Sequence, residues 1–178
     1  VIETERLILR PWREEDREPF AAMGRDPDVM RHLDGVVDRA ASDVAVDRQI
    51  ANQAADGCCF WAVERRADGA FLGFCGIRRG GHENTPVKGV WEIGWRLRRD
   101  AWGQGYAREA ASACIDWAFV TTTADRVYAW TVPANRASWG LMLRLGMTHR
   151  SEFDFDHPRF AKGHPLCRHI VYAIDRPA

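Results

Sequence analysis

The run Trp91 to Glu109, WEIGWRLRRDAWGQGYARE, decides how this chain is read. It opens inside an apolar segment, Val90 to Leu97, with the look of a strand. The segment ends at a basic pair, Arg98-Arg99. A glycine turn follows, Gly103-Gln104-Gly105, and a helical pattern begins at Gln104 and continues to Val120. A strand feeding a glycine loop at a helix start can hold phosphate groups on backbone N–H donors. Arg98, Arg99 and Arg108 lie close by to offset phosphate charge, and Glu92 lies in the strand that leads there.

Downstream, the expected helix puts Ala107, Ala110, Ala111, Cys114 and Ala118 on one face, small enough for close packing on a sheet. Arg126 to Val132 reads as a strand ended by Pro133. Asn135 can cap a helix running to Leu145 and stopping at Gly146. Strand, helix and strand from Val90 to Val132 predict a right-handed parallel crossover. Met147 to Phe155 and Leu166 to Ile174 read as a last pair of strands. Upstream, Arg6 to Arg10 alternates as a strand, and Arg13 to Met23 reads as a short helix with Pro19 near its start. Asp26-Pro27-Asp28 predicts a second helix carrying Val29, Met30 and Leu33. A third, Ser42 to Ala55, should bury Val46, Ile50 and Ala54 and stop at Gly57. Cys58 to Arg66 and Ala70 to Arg78 form a hairpin about Ala67-Asp68-Gly69, with Gly73 and Gly76 marking close approach of another backbone or a ligand. No repeat or linker divides the chain, so residues 1–178 read as one domain. The class is α/β to α+β, with a mixed, mainly antiparallel sheet flanked by helices.

Composition narrows the function. The 178 residues hold 25 Lys plus Arg and 25 Asp plus Glu, a formal net charge of +0. That removes the electrostatic footprint of a nucleic-acid or membrane-surface binder. No apolar run approaches the roughly 20 residues of a membrane span, and the first residues carry no basic-then-apolar signal. Five scattered cysteines read as reduced core residues of a cytoplasmic protein. His157, His164, Cys167 and His169 fall close together but lack the pair spacing of a zinc site, so no metal is expected. Oligomeric state, monomer or homodimer, is not legible.

The glycine loop fits neither a Walker A loop, since no Gly-Lys-Ser/Thr follows, nor the dinucleotide fingerprint, since Arg108 stands where the third glycine or alanine should fall. The run GQGYAREA instead resembles the acetyl-coenzyme A motif of the GNAT superfamily of N-acetyltransferases. Gly105 and Ala107 match the last two fixed positions of its Gln/Arg-x-x-Gly-x-Gly/Ala pattern, while Trp102 replaces the initial Gln/Arg. The Trp-Gly-x-Gly-Tyr-Ala form is similar to the RimJ/RimL-like branch. So are the opening Glu5 to Arg10, the later Asn135-x-x-Ser138 with Leu145-Gly146-Met147, and the run FDHPRF before GHPLCRHIVY.

The resemblance implies a GNAT fold, acetyl-coenzyme A as cofactor, and a primary amine as acceptor. That amine would be a protein N-terminus or a small molecule such as an aminoglycoside, polyamine or amino acid. It implies that backbone N–H groups of Gly103, Gln104, Gly105, Tyr106 and Ala107 bind the pyrophosphate. Arg98 and Trp102 flank that site, and the backbone of Trp95, Arg96 and Leu97 pairs with the pantetheine arm. Asn135 reaches the pantetheine, and Ser138 lies near the thioester sulfur. Glu92 is the candidate general base, and a structural carboxylate paired with an arginine is its alternative. Met142 occupies the position where many relatives keep a proton-donating tyrosine, so Ser138 or water is left to protonate the thiolate. Glu152, Asp154 and Asp156 are second-choice bases. Direct transfer in a ternary complex is expected, and a module that binds coenzyme A without turnover is the rival.

Overall fold

The computed structural model describes residues 1–178. Nine strands make the sheet: β1 (Ile2–Glu3), β2 (Leu7–Arg10), β3 (Phe60–Arg65), β4 (Phe71–Arg79), β5 (Trp91–Leu97), β6 (Arg126–Thr131), β7 (Thr148–His149), β8 (Phe155–Asp156) and β9 (Arg168–Asp175). Their order is β1-β2-β3-β4-β5-β6-β9-β7, with β8 paired to β9. Every pairing is antiparallel except β5 with β6, which is parallel and has one bridged pair, Glu92 with Tyr128. That parallel step is the expected strand–helix–strand unit, its helix being α3 (Tyr106–Thr121).

α3 packs over β4 and β5. Its inner face is Ala110, Ala111, Cys114 and Ala118, each fully buried, so Cys114 comes within 3.9 Å of Cys75 on β4. Larger residues there would push the helix off the sheet. Gly76 is needed for a similar reason, because a Cβ there would lie 2.1 Å from the Cys59 carbonyl oxygen. At Gly73, whose φ is +135, an added Cβ would lie 2.1 Å from the Arg96 carbonyl oxygen. Both glycines answer the close approach read from the sequence.

α1 (Arg17–Gly24) and α2 (Arg39–Asp56) pack on each other at the N-terminal side. Phe20 of α1 contacts both Trp12 and Phe74, tying this pair to the sheet. Arg10 is buried and bonds Asp16 at 2.7 and 2.9 Å and Glu64 at 2.6 Å, so its charge is matched twice over.

Three expectations need correction. Asp26-Pro27 starts no helix. The Asp26 carboxylate accepts the Asp28 N–H at 2.9 Å, a local turn that competes with helix, and the chain to 34 is a series of turns ended by Gly35 at φ +77. Only Met30 of that stretch is buried, so no apolar stripe supports a helix. The next helix, α2, begins at Arg39, three residues early, because Asp38 caps it by accepting the Ala41 N–H at 2.8 Å. Its inner face is Ser42, Val46, Gln49 and Gln53, while Ile50 and Ala54 are exposed. The glutamines face inward because Gln49 accepts the Phe60 N–H at 3.0 Å and Gln53 the Trp61 indole N–H at 2.6 Å. Finally, the strand expected over 147–155 is broken into β7 and β8 by a 3₁₀ turn at Ser151–Phe153. Asp154 stabilises that break by accepting the Val171 N–H at 2.8 Å and contacting His149 at 3.0 Å.

Candidate active site

Past the Glu92–Tyr128 bridge, β5 and β6 diverge, and a cleft of roughly 1200 Å³ opens between them. Its lining includes Ile93 to Leu97 of β5, Ala129 to Thr131 of β6, the loop before α3 and the first turn of α4 (Arg136–Arg144). The backbone register decides what β5 offers there. The Arg98 N–H donates to Leu72 O and the Gly80 N–H to Val90 O. By antiparallel alternation, the even residues of β5 therefore use their backbone groups on β4. The odd ones, Trp95 and Leu97, turn theirs toward the gap. Trp102 caps one of these by donating its indole N–H to Leu97 O at 2.9 Å. Arg96 thus faces the cleft through its side chain.

The glycine loop is held open. Gly103 and Gly105 have φ of +72 and +82, a region costly for residues with a Cβ. Gly105 caps α3, whose first turn, as in any helix, has N–H groups with no intrahelical acceptor. Across residues 103–108 no protein acceptor takes a backbone N–H, and Gly103 and Gly105 to Arg108 line the cleft, so free donors and the positive end of α3 lie on one wall. The loop is braced from β1–β2: Arg6 donates to Glu109 at 2.7 Å and to Gln104 O at 2.9 Å, and lies 4.6 Å from the Tyr106 ring. Burial pushes the Glu109 carboxyl up, but bonds from the Thr4 hydroxyl and Arg6 outweigh it and hold the group below its ordinary value. Sequence reasoning missed this brace, which joins residues 103 positions apart.

Asn135 caps α4, accepting the Ser138 N–H at 3.3 Å, and donates to the Thr131 hydroxyl at 3.0 Å. Asn135 and Ser138 both line the cleft, as do Trp95, Trp102, Gly103, Gly105, Tyr106 and Ala107. Met142, one helical turn beyond Ser138, is buried beneath them. Two expected residues stand outside the lining. Arg98 turns away to bind Asp100 at 2.6 and 2.5 Å, and Gln104 donates to Asp100 O at 2.8 Å. Arg99 pairs with Asp26 and Asp28. On the side of the glycine loop and α4 the cleft's cations are instead Arg108, Arg136 and Arg144, at the starts of α3 and α4 and the end of α4, none with a carboxylate partner. Charge near the loop was expected, but Arg136 and Arg144 carried no sequence signal.

Glu92 sits at the opposite wall, 8% exposed. Arg78 donates to its Oε2 from Nε at 3.0 Å and lies 2.9 Å away through Nη2. Burial pushes the Glu92 carboxyl up, Arg78 and the Gly81 N–H pull it back, and the net direction is upward. Both sequence readings therefore meet in one residue: a carboxylate in the cleft that is paired with an arginine. Gly80 makes room for it, since a Cβ there would fall 2.0 Å from Oε2 and 2.7 Å from the Glu92 Cβ. Phe60 and Phe74 stack at 5.4 Å beside it, between Arg78 at 4.6 Å and Arg96 at 5.2 Å.

The tail contributes imidazoles. His157 packs 4.2 Å from His82 and 5.3 Å from His169, and all three line the cleft. Burial, then the neighbouring His82, His169 and Arg159, lowers His157 to about 4, so at neutral pH it is an uncharged aromatic wall. Burial lowers His82 and His169 as well. Glu152, Asp154 and Asp156 do not reach the cleft. Asp154 and Asp156 hold His149 and Arg168 instead.

Residues 6–148 match the family described as the acetyltransferase (GNAT) domain. The Bacillus subtilis (strain 168) protein YkkB is 35% identical over 145 residues, covering 81% of this chain and 83% of its own. The GNAT-family acetyltransferase from Bacillus anthracis superposes with a TM-score of 0.78 at 26% identity, covering 98% of each chain. RimL, a ribosomal L7/L12 alpha-N-protein acetyltransferase solved with coenzyme A, shares the fold with a TM-score of 0.75 at 16% identity, covering 97% of this chain and 95% of that one. The chain belongs to the GNAT acetyltransferase family, and acetyl transfer is its class of chemistry.

Proposed function

We propose that the protein is an acetyl-coenzyme A-dependent N-acetyltransferase acting on a primary amine by direct transfer in a ternary complex. The observation that carries this reading is the set of unpaired N–H donors over 103–108, facing the same cleft as Arg108, Arg136 and Arg144. Backbone donors at a helix start suit a pyrophosphate, and guanidinium groups suit the remaining phosphate of the cofactor. The backbone of Trp95 and the Leu97 N–H offer pairing groups for a pantetheine arm, the Leu97 carbonyl being taken by Trp102, and Asn135 stands beside that path.

The chemistry needs a neutral amine, an oxyanion donor and a proton for the departing thiolate. Arg78 holds Oε2 of Glu92, which leaves Oε1 to take the amine proton, directly or through water. An upward-shifted carboxyl is the better base for that task. The backbone N–H of Trp95 is the candidate oxyanion donor, and Ser138 or water protonates the thiolate. A cysteine nucleophile finds no support: all five thiols are buried, and burial pushes Cys58, Cys59 and Cys114 up, Cys59 to about 12.

Met142 in the tyrosine position favours a second reading, a module that binds coenzyme A without turnover. Thiol release from acetyl-coenzyme A with a panel of peptides and small amines separates the two. Amine-dependent release supports the enzyme; tight binding with no release across the panel supports the module.

A further inference from the structure

Six arginines line the cleft but only two carboxylates, Asp28 and Glu92. Both carboxylates are taken, Asp28 by Arg31 and Arg99 and Glu92 by Arg78. Three of the four unmatched arginines stand on α3 and α4, where the charged end of the cofactor would lie. The fourth, Arg96, does not. It shares a strand face with Gly94 and Glu92, while Ile93, Trp95 and Leu97 alternate to the other face. The register of β4 places α3 on that other face, since Cys75 opposes Trp95 and touches Cys114. Arg96 therefore projects away from the helix starts, over the Phe74 ring at 5.2 Å. It makes no hydrogen bond or ion pair with any protein group. Its nitrogens are not among the sealed polar atoms, so they open on the cleft. Stacking on Phe74 leaves the in-plane N–H donors free. Burial lowers the guanidinium to about 10, which still leaves it charged at neutral pH.

We propose that Arg96 is the anchor for an oxyanion on the acceptor, so that the substrate is an amine that also bears a carboxylate or phosphate. The pantetheine arm is uncharged and gives this side chain no partner. A polyamine or aminoglycoside would bring several cations to a wall with no free carboxylate. An anionic amine matches it: Arg96 binds the oxyanion, the Phe60–Phe74 stack carries the middle of the molecule, and the amine points along the strand toward Glu92. Four residues separate Arg96 from Glu92, about 13 Å between their Cα atoms, part of which the Arg96 side chain itself can cover.

The proposal rests on the acetyltransferase reading, and its test keeps the two apart. Acetyl-coenzyme A affinity is measured by calorimetry for the wild type, Arg96→Gln and Arg96→Lys. The same proteins, loaded with coenzyme A for binding and with acetyl-coenzyme A for turnover, are then given matched amines. These are 6-aminohexanoate against its amide, 2-aminoethyl phosphate against ethanolamine, and spermidine. The expected result is a preference of about 10- to 100-fold for the anionic member of a pair, in binding and in kcat/KM. Arg96→Gln abolishes that preference and Arg96→Lys keeps part of it, both with cofactor affinity unchanged. The carboxylate and phosphate pairs tell which oxyanion is used. A preference for spermidine or the neutral amines overturns the proposal, as does anion preference surviving in Arg96→Gln or no binding of any anionic amine by the wild type. Loss of cofactor affinity in Arg96→Gln also overturns it, by assigning the charge to the cofactor. Failure of the wild type to bind acetyl-coenzyme A at all refutes the underlying reading instead.

Discussion

On the α3–α4 side the cleft presents mainly backbone: the N–H groups of 103–108, fixed by two glycines at positive φ, and the capped start of α4. On the opposite side it presents side chains brought from distant segments: Arg78 and Glu92, Arg96 over Phe74, and imidazoles from 82, 157 and 169. The first arrangement binds by geometry that many side chains would tolerate around it. The second depends on each side chain present. With the cofactor on the first side and the acceptor on the second, as proposed, this difference would let one family keep a cofactor while changing acceptors.

The largest effect should come from breaking the backbone side. Gly105→Glu forces a side chain into a left-handed position and adds a carboxylate where phosphate is expected. Acetyl-coenzyme A affinity by calorimetry should fall about 100-fold or more. Affinity at the wild-type level would refute the pyrophosphate site.

Glu92→Gln should leave that affinity intact while kcat falls about 10²- to 10³-fold and loses its acid limb, since only the ionised carboxylate accepts a proton. The same change leaves Arg78 without a charge partner, so thermal unfolding should register a loss on the order of 1–3 kcal/mol. A pH–rate profile that matches the wild type sinks the base assignment and leaves Glu92 as a structural partner of Arg78.

A smaller shift is expected from the brace. Arg6→Met removes the contacts to Glu109 and Gln104. The pair is partly exposed, so an effect of roughly 1 kcal/mol, a three- to tenfold rise in the cofactor Kd, is anticipated. No change would mean the glycine loop holds its shape alone.

The smallest is a pH effect on the side-chain wall. His157 has a folded-state value near 4 against about 6.5 when unfolded. Below pH 6.5 the unfolded chain takes up a proton that the folded protein refuses, so stability is complete above that pH and declines as pH falls toward 4. The Tm of His157→Phe should fall less steeply across that window. Parallel curves would show that the cluster does not set the slope.

The two sides also differ in how far they are legible in the sequence. Trp91 to Glu109 named its strand, turn and helix because glycines with positive φ and a small-residue face leave local signatures. Asn135 announced its cap in the same way. The helix expected at Asp26 failed because a carboxylate bonding two residues ahead looks, in sequence, like an N-cap. Ile50 was misplaced because two glutamines, Gln49 and Gln53, took the inner positions through bonds to β3. Arg96 and Arg98 stand two residues apart in one basic run and share an alternation class, so their different fates are not written in the pattern. The end of β5 at Leu97 separates them: Arg96 is held within the strand over Phe74, while Arg98 lies past it and turns to Asp100. Arg136 and Arg144 became candidates only when their cleft positions and missing partners could be seen together.

The cofactor is expected on the backbone side. Amide chemical shifts of the uniformly ¹⁵N-labelled protein, recorded during titration with acetyl-coenzyme A, locate it. The largest changes should fall on residues 103–108, with Trp95, Leu97 and Ser138 next and the tail residues 157–169 nearly still. Large shifts confined to the tail and the segment around Glu92, with 103–108 unmoved, would contradict that placement.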